Sequence, residues 1–346
     1  MTVNITKPAI NLRSELADLR KPTGIAGEAM LRAETPQEQF QLIGAGRRNI
    51  LINGGFPISQ RGVYTSATAV ADSTYYLDRW QAWKAGVTGT ITHVTTSQPT
   101  TFGTKSAKLI ATSSASGDLR HAQRVENPTY YQDATLTFSA WVKTNSANCR
   151  MYFYLGSYST AWETDPVTAD GQWHYVTKTI TMPSSVGDLV AIIGIDGSAS
   201  ASVSITSGDY VEITMAQLEV GKVATPFEHR SYGEELAACQ RYFYRATAAS
   251  AYSKFGSGVA ASATQAQILV GFPVVMRDTP SLDPSSVSLF AAYPSGSVAT
   301  GLTINNPSVQ GTSILLTTSS GLTANGGVLL QANNSTSAYL DFKSEL

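Results

Sequence analysis

"ATLTFSAWVKT", residues 134–144, decides the fold class. Its alternation sends Leu136, Phe138, Ala140 and Val142 to one face and Thr137, Ser139 and Trp141 to the other, the period of a strand with one side on a core. The opposite side carries a large aromatic. "TGTITHVT", "KSAKLIAT", "CRMYFYLG", "QWHYVTKTITM", "DLVAIIGID" and "DYVEITMAQLEVG" repeat the texture, rich in β-branched and aromatic residues and separated by Gly, Ser, Asn and Pro. Strands that succeed one another with no helix between them predict an antiparallel sandwich. Trp80, Trp83 and Trp173 sit inside such runs and are expected in the core. From about Tyr242 a second block, with "AQILVGFPVVM", "SVSLFAAY", "GLTINN", "TSILLTT", "GVLLQAN" and "SAYLDFKSEL", has the size of another small sandwich. The glycines between these runs read as turn residues.

The whole chain of 346 residues allows more than one domain. Charged residues make up only 14% of it, against roughly 25% in an ordinary soluble domain, and Ser, Thr, Gly and Ala fill the difference. With 24 basic and 25 acidic residues the formal net charge is −1, so no overall field draws the protein to nucleic acid or to an anionic membrane. No apolar run reaches the ~20 residues of a membrane span. The opening "MTVNITKPAINLRSELADLR" has neither the apolar region nor the cleavage site of a signal peptide, so no ordinary secretory export is expected. Cys149 and Cys239 are far apart and in no metal-ligand spacing, which predicts buried thiols, with a disulfide between them as the alternative.

Residues 1–47 differ from the rest. Leu12, Leu16 and Leu19 share one helical stripe ended by Pro22 and Gly24, and "ETPQEQFQLIGAG" predicts a second short helix with Thr35 as cap and Gly44 as stop. Two short helices cannot bury a stripe alone, so the segment is expected to dock on the body, on a copy of itself or on another protein.

"HRSYGEELAACQRYFYR", residues 229–245, gathers a histidine, two glutamates and a cysteine as a nucleophilic site would. A helix accounts for more of it. Ser231 caps, Glu234 completes a capping box, and Tyr232, Leu236 and Cys239 fall on one face. The segment is thus expected to be a linking helix, 231–241, between a sandwich at 48–230 and a C-terminal domain at 242–346. His93, His121, His174 and His229 are scattered, without ligand spacing, and no phosphate-loop, nucleophile-elbow or dinucleotide motif occurs, so neither metal nor cofactor is expected. Glu163, Asp165 and Asp170 in "AWETDPVTADGQW" could serve a glycoside hydrolase, but Asp170-Gly171 reads more simply as a turn.

The aromatics carry a stronger signal. "RMYFYLGSYSTAW" sends Met151, Phe153 and Leu155 one way and Tyr152, Tyr154 and Tyr158 the other, with Trp162 in the next loop. Two readings stand: the stripe stacks on sugar rings, or it packs against a neighbouring subunit.

The ordered series "RRNILINGGFPISQRG", "YYLDRWQAW", "QLEVGKVATPFEHRSYGEELAACQRYFYR" and "FPVVMRDTPSL" resembles bacteriophage tail-fibre and related virion structural proteins, over about residues 47–282. The resemblance implies a jelly-roll domain similar to carbohydrate-binding modules, and a homotrimer on the virion, assembled in the host cytoplasm. Leu12, Leu16 and Leu19 would then attach the chain to other tail or baseplate proteins, and the C-terminal block would face the host. The implied function is non-enzymatic adsorption by multivalent binding to host glycan. The alternatives are a tail-borne glycan depolymerase and a purely architectural virion protein. Modules of this shape often hold calcium through a carboxylate pair near the last strand, but "YVEITMAQLEVG" shows no such pair.

Overall fold

Residues 135–144 form a ten-residue strand whose Leu136, Phe138, Ala140 and Val142 are fully buried, while Trp141 lies on the outer face. The computed structural model describes residues 48–62, 64–94, 105–157, 159, 162–196 and 203–346. Leu12, Leu16 and Leu19, with both expected N-terminal helices, lie outside the described residues.

The first sandwich opposes two antiparallel sheets. One runs β1 (Thr68–Val70), β4 (Gly89–Val94), β5 (Ser106–Ala111), β12 (Tyr210–Val220), β7 (Thr135–Thr144), β9 (Trp173–Thr181). The other runs β2 (Thr74–Leu77), β3 (Trp80–Ala85), β6 (Ala115–Arg124), β10 (Val190–Ile195), β8 (Cys149–Tyr154), with β11 (Val203–Ile205) pairing on β6. Their inner faces share one core, in which Phe138 of β7 meets Phe153 of β8 with ring centroids 5.8 Å apart. Fully burying each such side chain stabilises the fold by about 1.5–3 kcal/mol.

The second sandwich has a three-stranded sheet, β13 (Phe243–Thr247), β21 (Tyr339–Lys343), β16 (Ser281–Pro284). It also has a six-stranded sheet, β17 (Phe290–Tyr293), β20 (Gly327–Ala332), β14 (Lys254–Ala260), β15 (Gln265–Gly271), β19 (Gly311–Thr318), β18 (Ala299–Asn305). Its core is separate from the first. The chain is therefore mainly β, with two antiparallel sandwiches, and among the described residues its one α-helix is α1 (Tyr232–Gln240).

The residues that carried the resemblance are occupied in structure. Asn53 is fully buried: its amide donates to the carbonyls of Ile58 and Asp78, and its own carbonyl accepts the Trp80 indole N–H at 3.1 Å. A Cβ on Gly54 would stand 2.0 Å from the Ala216 carbonyl oxygen, so this glycine permits a close approach of two backbones. Gly117, Gly194 and Gly258 do the same inside strands, with nearest contacts of 1.9, 2.6 and 1.7 Å. The expectation that glycine here serves turns is corrected accordingly.

Asp78 and Arg79 form the tight link between β2 and β3, Arg79 in the left-handed region at φ 69°. That backbone sends its buried guanidinium 3.7 Å over the Tyr242 ring and to Glu345, 2.8 Å away. Arg61 stacks 3.7 Å over Phe243 and pairs with the same Glu345. Gln60 bridges Asp78 and the Phe243 carbonyl, and Glu126 accepts from Arg241 and Tyr242. These contacts join the two sandwiches.

At α1, Ser231 and Glu234 form the reciprocal capping box. Cys239 is fully buried and Leu236 half-buried, but Tyr232 is 64% exposed, so the expected Tyr232–Leu236–Cys239 face is not the inner one. Glu235 takes the place of Tyr232 on the inside, because its carboxylate accepts the Asn53 N–H and pairs with Arg230.

Candidate functional site

Strand alternation leaves a half-buried aromatic patch on the outer face of the sheet that runs from β2 to β8. Trp80 and Ala82 of β3 point inward, so Trp83 must point outward. This corrects its expected place in the core. On β8 the inward Met151 and Phe153 leave Tyr152 and Tyr154 outside. Trp83 and Tyr154 meet edge to face, with centroids 6.1 Å apart and planes at 84°, over a floor of Ala122, Val190, Ile192 and Tyr152.

Charged groups adjoin this floor. Arg120 of β6 donates from Nη2 to Asp196 Oδ1 and to Asp118 Oδ2, each at 2.8 Å. The Tyr152 hydroxyl donates to the other Asp196 oxygen at 2.6 Å. Register places Trp83, Arg120, Gly194 and Arg150 side by side on consecutive strands. At Gly194 the row carries no side chain, and a Cβ there would collide with Arg120. Arg150 pairs with Glu163 at 3.3 Å. Burial would pull the Arg120 guanidinium down, but Tyr152, Asp196 and Asp118 outweigh it and hold it above its ordinary value. Burial raises the Asp118 carboxyl, opposed by the Arg120 charge. The side chains of Arg120, Asp118 and Arg150 remain about a fifth exposed, at 21%, 18% and 21%. The patch thus combines an apolar ring surface with fixed donors and acceptors, which is what a sugar with one C–H face and a rim of hydroxyls requires.

The expected site residues divide. Tyr154 lies at the patch. Tyr152 lies beneath it, 2% exposed, so it orients Asp196 and offers no free ring. Trp162 packs against the main core and not on this face. Tyr158 lies outside the described residues. Sequence reading singles out neither Arg120 nor its pairing with Asp118 and Asp196, two acids whose loops read only as too poor in oxygen ligands for a calcium site; the spacing of three between Trp80 and Trp83 is the signal that places Trp83 outside.

The other outer face also bears aromatics, Trp141 against Tyr175 at 5.4 Å and Trp173 half-buried beside Lys143, again outside the expected core. There a lysine takes up one ring, Lys108 standing 3.9 Å over Tyr210. A cavity of about 370 Å³ opens near Phe227 and His229, but its Glu228 and Glu235 are engaged by Arg230 and by the backbone at Arg48, Asn49 and Asn53. Asp170, exposed, is held low by its hydrogen bond from His174 and also accepts the Gln172 N–H. Among the described residues no group of three or more His, Cys, Asp or Glu could hold a metal, and no helix is long and apolar enough to cross a membrane.

No protein-family model and no curated protein matches the chain. Solved structures do. The enzymatically active domain of tailspike protein 4 of bacteriophage CBA120 aligns at 11% identity and TM-score 0.34, over 50% of this chain and 21% of that one. The chain therefore spans about a fifth of that domain's length. A family 61 carbohydrate-binding module, solved with β-1,4-galactotriose, aligns at 14% identity and TM-score 0.27, over 51% of this chain and 100% of that one. A family 11 module from Clostridium thermocellum, solved with a β-1,3-1,4-mixed-linked tetrasaccharide, aligns at 12% identity and TM-score 0.28, over 47% and 98%.

Proposed function

We propose that this protein is a non-enzymatic tail-fibre or tail-tip component of a bacteriophage, homotrimeric, which attaches the particle to glycan on the host surface. The observation that carries the glycan reading is the Trp83–Tyr154 pair on its apolar floor, next to the Arg120–Asp118–Asp196 cluster. The virion reading is supported by the ordered motif series from Arg47 to Leu282. In this role residues 1–47 attach the chain to other tail or baseplate proteins. Binding is multivalent: a second linked contact raises avidity by about 10²–10⁴ without any new chemistry at the site.

The test is binding of the full chain to soluble lipopolysaccharide and capsular polysaccharide from candidate hosts, with reducing ends measured in the same samples. Binding without release of reducing ends is expected, and Trp83→Ala should weaken it by about tenfold or more, the worth of a stacked ring. No binding to any preparation, or release of reducing ends that Glu163→Gln abolishes, would overturn the proposal.

A further inference from the structure

The outer face of the second sandwich's six-stranded sheet is apolar at its centre and almost free of charge. Leu269 is 68% exposed, Val259 53% and Tyr293 49%. They belong to one continuous surface. Leu269 stands opposite Ser257 and Ser313, Ser257 opposite Leu329, and Leu329 opposite Tyr293. A parallel row sets Val259 opposite Gln267, Gln267 opposite Leu315 and Leu315 opposite Thr303. Residues 255–276 and 284–340 contain no charged side chain, so Lys254 is the single charge of the sheet. Its ammonium lies at one side, 4.6 Å over the Tyr293 ring and in contact with the Gln331 amide oxygen. The other charges of this domain lie in β13, β16 and β21 or beside them.

We infer that this face is where copies of the chain meet one another. Isolated exposed leucines need no explanation, but a contiguous apolar surface rimmed by amides and hydroxyls does. Rotational symmetry brings like groups together across an axis, which uncharged side chains tolerate and charged ones do not. A glycan would stack on aromatic faces, yet the centre here is Leu269, Val259, Leu315 and Leu329, and the one ring, Tyr293, is covered by Lys254. Area agrees. Six strands about 4.8 Å apart and about seven residues long present roughly 650–700 Å² per copy, so three such faces gathered about a threefold axis bury about 2,000 Å² together, within the range of stable specific interfaces. The inference deepens the oligomeric part of the proposed function, and it moves this sheet of the C-terminal domain from host contact to self-association.

Light scattering on the full chain reads the outcome. The wild type is expected at a multiple of 36.8 kDa. Leu269→Glu and, separately, Val259→Glu are expected to weaken association by about 100-fold, as loss of a central interface anchor does. Both sites are more than half exposed, so far-UV circular dichroism and the thermal transition should persist. Val223→Glu, at a 72% exposed position of the first sandwich, is the control and should assemble like wild type. A monomeric wild type, or full assembly of both variants, would overturn the inference. Polysaccharide binding by the dissociated variants, measured in parallel, reads the glycan site independently of the assembly.

Discussion

Acid should weaken the first sandwich well before its carboxylates titrate, and the cause is His121. This side chain is fully buried between the sheets, accepting at Nδ1 from the Tyr76 hydroxyl and donating from Nε2 to the Val211 carbonyl at 3.1 Å. Burial lowers its pKa from 6.5 to about 4. His93, 6% exposed and donating to the Phe56 carbonyl, is lowered to about 4 as well, by burial first and then by Lys105. Between those values the unfolded chain binds protons that the folded chain refuses, so stability is lost as pH falls from 6.5 towards 4. For His121 alone the change between about pH 7 and about pH 5 comes to about 2 kcal/mol. His93, nearer the surface, adds about 1 kcal/mol after allowance for solvent screening. A domain of this size loses about 2–4 °C per kcal/mol, so the thermal midpoint should drop by about 6–12 °C over that interval. Differential scanning calorimetry at the two pH values reads it, and His121→Gln should be less stable yet visibly flatter in its pH dependence. A wild-type midpoint unchanged across the interval, or a variant with the wild-type slope, would refute the burial argument.

Two further outcomes follow from the junction and the thiols. Glu345→Ala removes the shared partner of Arg61 and Arg79, whose side chains are 11% and 2% exposed, and leaving such charges unpaired costs about 3–5 kcal/mol. Denaturant unfolding read by the fluorescence of the five tryptophans, all of which lie in the first sandwich, and by far-UV circular dichroism, which reads both sandwiches, should then give separate midpoints, whereas coincident and unaltered transitions would contradict a coupled junction. Cys149 is pushed up to about 12 by burial and Cys239 well above its ordinary value, so neither should react with a maleimide under native conditions at mildly alkaline pH. Both should react once the chain is unfolded, and fast labelling of the native protein would show that they are not buried.

What the sequence made legible depended on how cleanly each strand alternates. β7 and β8 could be read because their inner positions are apolar without interruption. β6 could not: its inner face carries His121 and Gln123, which are satisfied by Val211 and by the backbone of Ile52, while its outer face carries Asp118 and Arg120. A strand polar on both faces looks like a loop, so the central strand of the candidate patch escaped notice. β14 was hidden for another reason, since "KFGSGVA" resembles a linker until Gly258 is seen to lie against the Gln267 carbonyl. Tyr152 and Tyr154 were assigned to the correct face by alternation, but exposure follows from long-range neighbours. Asp196, 44 residues away, is what ties Tyr152 down.

The residues that make the chain recognisable and those that would touch a ligand are different sets. Asn53, Gly54, Asp78, Arg79, Glu228, Arg230 and Tyr242 bind the first sandwich's opening segment, α1 and the second sandwich to one another. Trp83, Tyr154, Arg120 and Asp196 make few demands on that framework: except for Trp83 they lie outside the motif segments, and even Trp83 closes its segment facing outward. Substitution at Trp83 or Tyr154 can therefore change what is bound with little loss to the scaffold, whereas Asp196, 3% exposed and held by Arg120 and Tyr152, serves patch and scaffold together. For a protein that binds through several weak contacts, this separation matters physically. In the proposed role avidity is gained only when the sites are held at fixed spacing, and the stacked and ion-paired junction at Arg61, Arg79, Tyr242 and Glu345 ties the first sandwich, which carries the patch, to the second, whose sheet is proposed for self-association.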